Sequence, residues 1–127
     1  MSALPPVELL VCTTCKREGV DPEAARPGAV LHDALSGVEL PENVVLKPVE
    51  CLSNCSRGCT VVLRGGTVRW TYVFGNLPED AVEIVVDGTT RYAATPDGLV
   101  PWRERPEHFR KNCIARIPPL DAPIPSL

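Results

Sequence analysis

The 127-residue sequence predicts an α/β domain built on one mixed sheet. Three observations predict it. Two apolar runs, Val7 to Val11 and Val44 to Val49, flank a stretch with helical spacing, and such a crossover joins parallel strands. Gly65-Gly66 divides two further strand-like runs, as in an antiparallel hairpin. A second stretch of helical period follows Pro78.

The elements follow in order. Val7 to Val11 reads as a buried strand that ends at Cys12. Asp21-Pro22-Glu23 reads as a helix start, and Val30, Leu31, Ala34, Leu35 and Val38 recur at helical spacing, so a helix is expected over 23–36, with Pro27 kinking it or delaying its start and Gly37 as its stop. Val44, Val45, Leu46 and Val49 form a second strand running into Cys51. Ser53, Asn54, Ser56 and Gly58 are turn formers, so 51–58 reads as a loop. Cys59 to Arg64 and Thr67 to Phe74 are the hairpin strands, and Val68, Trp70, Tyr72 and Phe74 alternate onto one face of the second. Asn76, Pro78, Glu79 and Asp80 announce a helix carrying Ala81, Val82, Val85, Val86, Thr89, Tyr92 and Ala93. Asp87-Gly88 offers a competing hairpin turn, but the N-terminal signals favour the helix. The resulting order, β-α-β-β-β-α, is that of a thioredoxin-like core.

Seven of the 14 prolines lie between Pro96 and Pro125. Residues 1–95 are therefore expected to form the domain, and residues 96–127 a proline-rich C-terminal arm packed on it, extended and irregular.

Composition narrows the function. Apolar residues make up 44% and charged residues 23% of a chain with net charge −3, which suits one folded domain and argues against bulk nucleic-acid binding. No apolar run approaches the roughly 18 residues that cross a bilayer. Met1 to Pro6 has neither basic residues nor an apolar signal core, so the expectation is a cytoplasmic protein with no membrane partner. Thiols stay reduced there, and six cysteines point to metal ligation or redox chemistry instead of a disulfide scaffold.

Cys12 and Cys15 form a C-x2-C pair after the first strand, and Cys51, Cys55 and Cys59 form C-x3-C-x3-C after the second. Parallel strands deliver both groups to one sheet end, the end at which open α/β sheets bind ligands. Thiolates are soft ligands that suit zinc and iron–sulfur clusters. A [2Fe–2S] cluster takes four, and the pairs Cys12/Cys15 and Cys51/Cys55 would supply them, with Cys59 as a spare or alternate metal ligand. Cys113 stands apart in the arm and reads as a partly buried structural thiol.

These residues carry a resemblance. Cys51-Leu52-Ser53-Asn54-Cys55-Ser56-Arg57-Gly58 before a Val-rich strand resembles the second cysteine loop of thioredoxin-like [2Fe–2S] ferredoxins. Val11 to Cys15, the Cys51/Cys55/Cys59 loop, Trp70 to Gly75, and Tyr92 to Gly98 leading to Pro101 to Pro106 resemble a family of small bacterial proteins described as predicted metal-binding. The resemblance implies a link to cobalamin metabolism. It departs from the ferredoxins in two places: their first two ligands lie about a dozen residues apart, against two here, and Cys59 stands where they carry proline.

Three functions remain open. The first is a [2Fe–2S] electron carrier serving a redox partner protein. The second is a zinc or cobalt site that is structural or delivers metal. The third is a thiol–disulfide oxidoreductase using Cys12-Thr13-Thr14-Cys15, although Lys16 to Gly19 does not continue a helix that would lower the thiol pKa. No phosphate loop, H-E-x-x-H or G-x-S-x-G occurs, so an independent enzyme is not expected and no catalytic residue is assigned. Lys16, Arg17 and Arg57 are either solvated charge or steering groups for an acidic partner. Trp102 with Arg103 and Arg105 is a docking patch or, preferably, the anchor of the arm. Trp70, Tyr72 and Phe74 read as core, or as the surface of a homodimer, and not as a cofactor box.

Overall fold

A computed structural model describes residues 6–13, 27–50, 59–78 and 80–120. Among the described residues five strands, β1 (Val7–Cys12), β2 (Val44–Val49), β3 (Val61–Arg64), β4 (Thr71–Phe74) and β5 (Cys113–Ile117), form one sheet in the order β2-β1-β3-β4-β5. Strand β1 (Val7–Cys12) occupies an interior position, parallel to β2 (Val44–Val49) and antiparallel to β3 (Val61–Arg64). Its sequence, VELLVC, is apolar except for Glu8, and every residue but Glu8 is buried. Strand β2 lies at a sheet edge, exposes Val45 and Lys47, and carries Pro48, a residue whose missing N–H an edge strand tolerates.

Helix α1 (Pro27–Ser36) connects β1 to β2 and ends at the expected place. The expected start at Glu23 lies outside the described residues. Helix α2 (Val82–Ala93) follows β4 (Thr71–Phe74). The competing hairpin at Asp87-Gly88 is thus decided for the helix, because the buried positions Val85, Gly88, Thr89 and Tyr92 recur at a period that only a helix satisfies. Helix α1 packs on β1, β2 and α2, so both helices cover one face of the sheet. Val7, Leu9 and Val11 from β1 meet Leu31, Leu35, Val61, Leu63, Tyr72, Phe74, Val85 and Tyr92 there. Burial of each such side chain is worth about 1.5–3 kcal/mol.

Two expectations are corrected. The β3–β4 connection is longer than a Gly65-Gly66 hairpin turn, and β4 begins at Thr71 instead of Thr67. The cause is Arg69. Its side chain is 1% exposed, and its guanidinium donates to the carbonyls of Thr95 (3.0 Å), Ala93 (3.3 Å) and Pro6 (3.4 Å). Residues 67–70 leave the ladder to make that reach, and Val68 is left 46% exposed. The turn still needs its glycines: Gly66 has φ +69°, and a Cβ at Gly65 would lie 2.4 Å from the Pro6 carbonyl oxygen.

The second correction concerns the C-terminal segment. It is not an irregular arm. A 3-10 turn (Trp102–Glu104), helix α3 (Glu107–Lys111) and strand β5 (Cys113–Ile117) follow α2, and β5 pairs antiparallel with β4. Phe109 is 3% exposed and stacks on Phe74 with ring centroids 3.9 Å apart. The proline count misleads because the prolines lie between elements: Pro106 caps α3, Pro118-Pro119 follow β5, and residues 107–117 contain none.

Candidate metal centre

Strands β1 and β2 run parallel with Cys12 opposite Val49, so the chain leaves both at one end of the sheet. The Thr13 N–H donates to the Val49 carbonyl at 2.8 Å, and its hydroxyl reaches the same oxygen at 3.3 Å. On the other flank the Cys12 N–H donates to the Thr60 carbonyl at 3.1 Å. Cys12 is thereby pinned between two neighbours, with no solvent exposure. Its Sγ approaches the Glu50 carbonyl oxygen at 3.9 Å. Glu50 immediately precedes Cys51, so the first cysteine's sulfur faces the root of the second cysteine segment.

Cys59 enters the same end from β3. It exchanges two backbone hydrogen bonds with Leu77, at 2.8 and 3.1 Å, and is fully buried. The two sulfurs have different surroundings. Cys59 belongs to the helix-side core with Val61 and Leu77. Cys12 follows Val11 in the alternation of β1 and so shares the opposite face with Leu10.

Cys15, Cys51 and Cys55, three of the five ligands expected from sequence, lie outside the described residues, as do Lys16, Arg17 and Arg57. Among the described residues no three His, Cys, Asp or Glu side chains form a group that could hold a metal ion. None of Cys12, Cys59 and Cys113 is in a disulfide.

Cys113 opens β5 opposite Phe74 and therefore lies at the same sheet end, two strands from β3, or about 10 Å across. The expectation of a partly buried thiol in an arm gives way to an exposed residue of an edge strand. Partial cover of its sulfur nevertheless pushes the thiol pKa up, against the pull of Arg105 and Arg116.

The aromatic residues of β4 are core, as expected. Tyr72 and Phe74 stack at 5.8 Å, and Tyr92 meets Tyr72 edge-on. The Tyr92 hydroxyl donates to the Trp70 carbonyl at 2.5 Å. The sequence reading singled out Arg103 and Arg105 beside Trp102, but missed that the basic charge extends through the whole C-terminal segment. Residues 103–116 hold five Lys/Arg and two Asp/Glu, against eight and fourteen elsewhere. A windowed charge count finds this signal; attention to the prolines hid it.

A family model described as a protein of unknown function, DUF1636, matches residues 9–119. The chain belongs to that family. The family match spans the cysteine positions and the C-terminal strand alike. Two solved structures, each of a thioredoxin-like [2Fe–2S] ferredoxin from Aquifex aeolicus, share the fold. One, of the wild-type protein, superposes with TM-score 0.54 at 16% identity, over 87% of this chain and 98% of that one. The other gives 0.55 at 15% identity, over 93% and 98%. At such identity the likeness establishes the thioredoxin-like mixed fold. Among curated proteins, none matches. No helix among the described residues is long and apolar enough to cross a membrane.

Proposed function

We propose that this chain is a metal-binding redox protein that holds a [2Fe–2S] cluster through Cys12, Cys15, Cys51 and Cys55 and passes single electrons to a partner protein. The observation that carries the reading is the approach of Cys12 Sγ to the Glu50 carbonyl. It sets one buried sulfur against the segment that bears two more cysteines. Covalent reach supports two more of the four. Thr13 and Val49 are joined by a hydrogen bond, and Cys15 and Cys51 each follow within two residues, a span of at most about 7.6 Å.

The donor chemistry fits the group. A [2Fe–2S] cluster takes four thiolates, and the chain carries two cysteine pairs next to adjacent strand ends. When bound, the cluster supplies a one-electron couple. The chain's own residues do the remaining work. Burial of Cys12 excludes water from its sulfur, and the two backbone bonds at Cys12 and Thr13 fix the ligand position before metal binds. Cys59, packed in the helix-side core, serves structure first, and its placement supports the choice of the other four.

The two-residue spacing of Cys12 and Cys15 also suits zinc, and one experiment separates the readings. Protein purified without oxygen is analysed for iron, acid-labile sulfide and zinc, with its optical spectrum. About two iron and two sulfide per chain, with visible absorption, is the expected result. About one zinc per chain with no sulfide would replace the cluster with a tetrathiolate site. A partner in cobalamin metabolism is the expectation that the family resemblance adds, and it can be sought once the cluster is in hand.

A further inference from the structure

We infer that the basic surface formed by α3 and β5 is where an acidic segment of the partner protein docks; the inference rests on the electron-transfer reading of the cysteine site and names the face through which it works. Charge is the first observation. The chain as a whole is acidic, at −3, yet residues 103–116 carry five Lys/Arg against two Asp/Glu. Most of that charge is uncompensated. Among the described residues Arg103, Arg110 and Arg116 form no ion pair, and Arg103 and Arg116 are exposed. Lys111 pairs only with Glu107, and both side chains are about 70% exposed, at 70% and 68%. Such a pair adds little and opens readily to a competing carboxylate. Arg110 Nε is buried with no hydrogen-bond partner, and Arg110 meets Glu107 only through space, without an ion-pair contact.

Position is the second observation. Helix α3 lies at the cysteine end of the sheet and is tied to it by a continuous chain of bonds. Cys59 exchanges backbone bonds with Leu77, Asn76 Nδ2 donates to Asn112 Oδ1 at 3.3 Å, and the Gly75 N–H donates to the Asn112 carbonyl at 3.1 Å. His108 Nε2 meets the Gly75 carbonyl at 3.2 Å. The cations Arg110 and Lys111 are thus presented on a rigid mount two strands from Cys59. A redox partner must bring its own centre close to the cysteine end, and this is the nearest strongly basic surface among the described residues.

The third observation is the edge itself. Among the described residues strand β5 is the last strand of the sheet, all five of its residues are exposed, and Ile114 and Ile117 are 38% and 51% exposed. An edge strand offers backbone donors and acceptors that a partner's extended segment can take up. Carboxylates on that segment match the cations beside it, so long-range attraction raises the rate of encounter and the edge fixes the register. The acidic balance of the chain speaks against nucleic acid as the occupant.

The test uses the purified full chain, whatever its metal content, so its outcome is independent of the cluster assignment. Amide resonances of labelled protein are followed during titration with a hexaglutamate peptide at low salt. Shifts centred on residues 107–117, abolished by about 0.15 M salt, are expected. The charge reversal Arg110→Glu/Lys111→Glu should weaken the response about tenfold, whereas Lys47→Glu, on the opposite sheet edge, should change it less than about twofold. Circular dichroism of each variant confirms that it folds. Shifts spread evenly over all cationic residues, shifts that survive the charge reversal, or a single-stranded oligonucleotide that moves the same resonances at lower concentration would each overturn the assignment.

Discussion

The sulfur of Cys12 lies 3.9 Å from the carbonyl oxygen of Glu50, although 38 residues separate them in sequence. That distance sets the sulfur of Cys12 against the residue that precedes the second cysteine segment, at the sheet end where the crossover between parallel strands delivers both. The contact is a weak S–H donor facing a carbonyl, and under the proposed function it sets one ligand sulfur beside the residue that precedes Cys51.

From this the cysteines should separate in their behaviour. Cys12→Ser is expected to lose most bound iron and sulfide, measured on protein purified without oxygen. Cys59→Ala should retain both while lowering stability by about 1 kcal/mol in urea unfolding, because it opens a small gap in the core. Full loss of iron in Cys59→Ala alongside retention in Cys12→Ser would reverse the ligand assignment.

Arg69 gives a second prediction. It is a buried cation whose donors satisfy carbonyls at the C-terminus of α2, where the helix dipole is negative. Desolvation pulls its pKa down, and this is offset only in part by the nearby Tyr92. Arg69→Met keeps the volume but strands those carbonyls, and a loss of about 3 kcal/mol is expected by urea unfolding. Arg69→Lys should recover less than half of it, since one ammonium cannot span three separated oxygens. Equal stability of the lysine variant and the natural chain would show that charge alone matters there.

Much of the fold was legible and the exceptions have definite causes. The alternation of Val7, Leu9 and Val11 and the helical spacing of Val85, Thr89 and Tyr92 are local patterns, and both elements formed as read. The early break in β4 was not legible, because it follows from Arg69 reaching carbonyls 24 and 26 residues away. The C-terminal strand was hidden for another reason. Proline marks the ends of elements as well as their absence, and Phe109 docks on Phe74 through a contact 35 residues long in sequence. Of the candidate site, the delivery of Cys12, Glu50 and Cys59 to one sheet end follows from the crossover and was legible; the division of Cys12 and Cys59 between faces needed the strand register.

Glu8 sets a pH prediction. It sits between Lys47 and Arg64, contributed by the strands on either side of β1, with Arg64 Nε donating at 2.8 Å. Hydrogen bonds from Lys47 and then Arg64 hold its carboxyl pKa below the ordinary carboxylate range. A pKa depressed in the folded state stabilises the fold above the unfolded value, and the stabilisation disappears as pH falls through the folded one. Glu8→Gln should therefore cost less than about 1 kcal/mol near pH 7, and that difference should vanish in acid. A difference constant from pH 7 to pH 3 in urea unfolding would assign the effect to packing instead.

Gly88 tests the attachment of the C-terminal segment. It lies on the buried side of α2, and a Cβ there would fall 2.0 Å from Phe109 Cε2. Phe109 has little room to retreat, since its ring is also stacked on Phe74. Gly88→Ala gains helix propensity but must displace α3, so a net loss of about 2 kcal/mol is expected. Phe109→Leu alone should also destabilise, by about 1–2 kcal/mol. If the ring is the obstacle, the double variant restores room for the new methyl and costs less than the sum of the two. A coupling above about 0.5 kcal/mol in that direction is expected. Strict additivity would mean that Gly88 is required by something other than Phe109, and that α3 is fastened to the sheet by its Asn112 and His108 bonds alone.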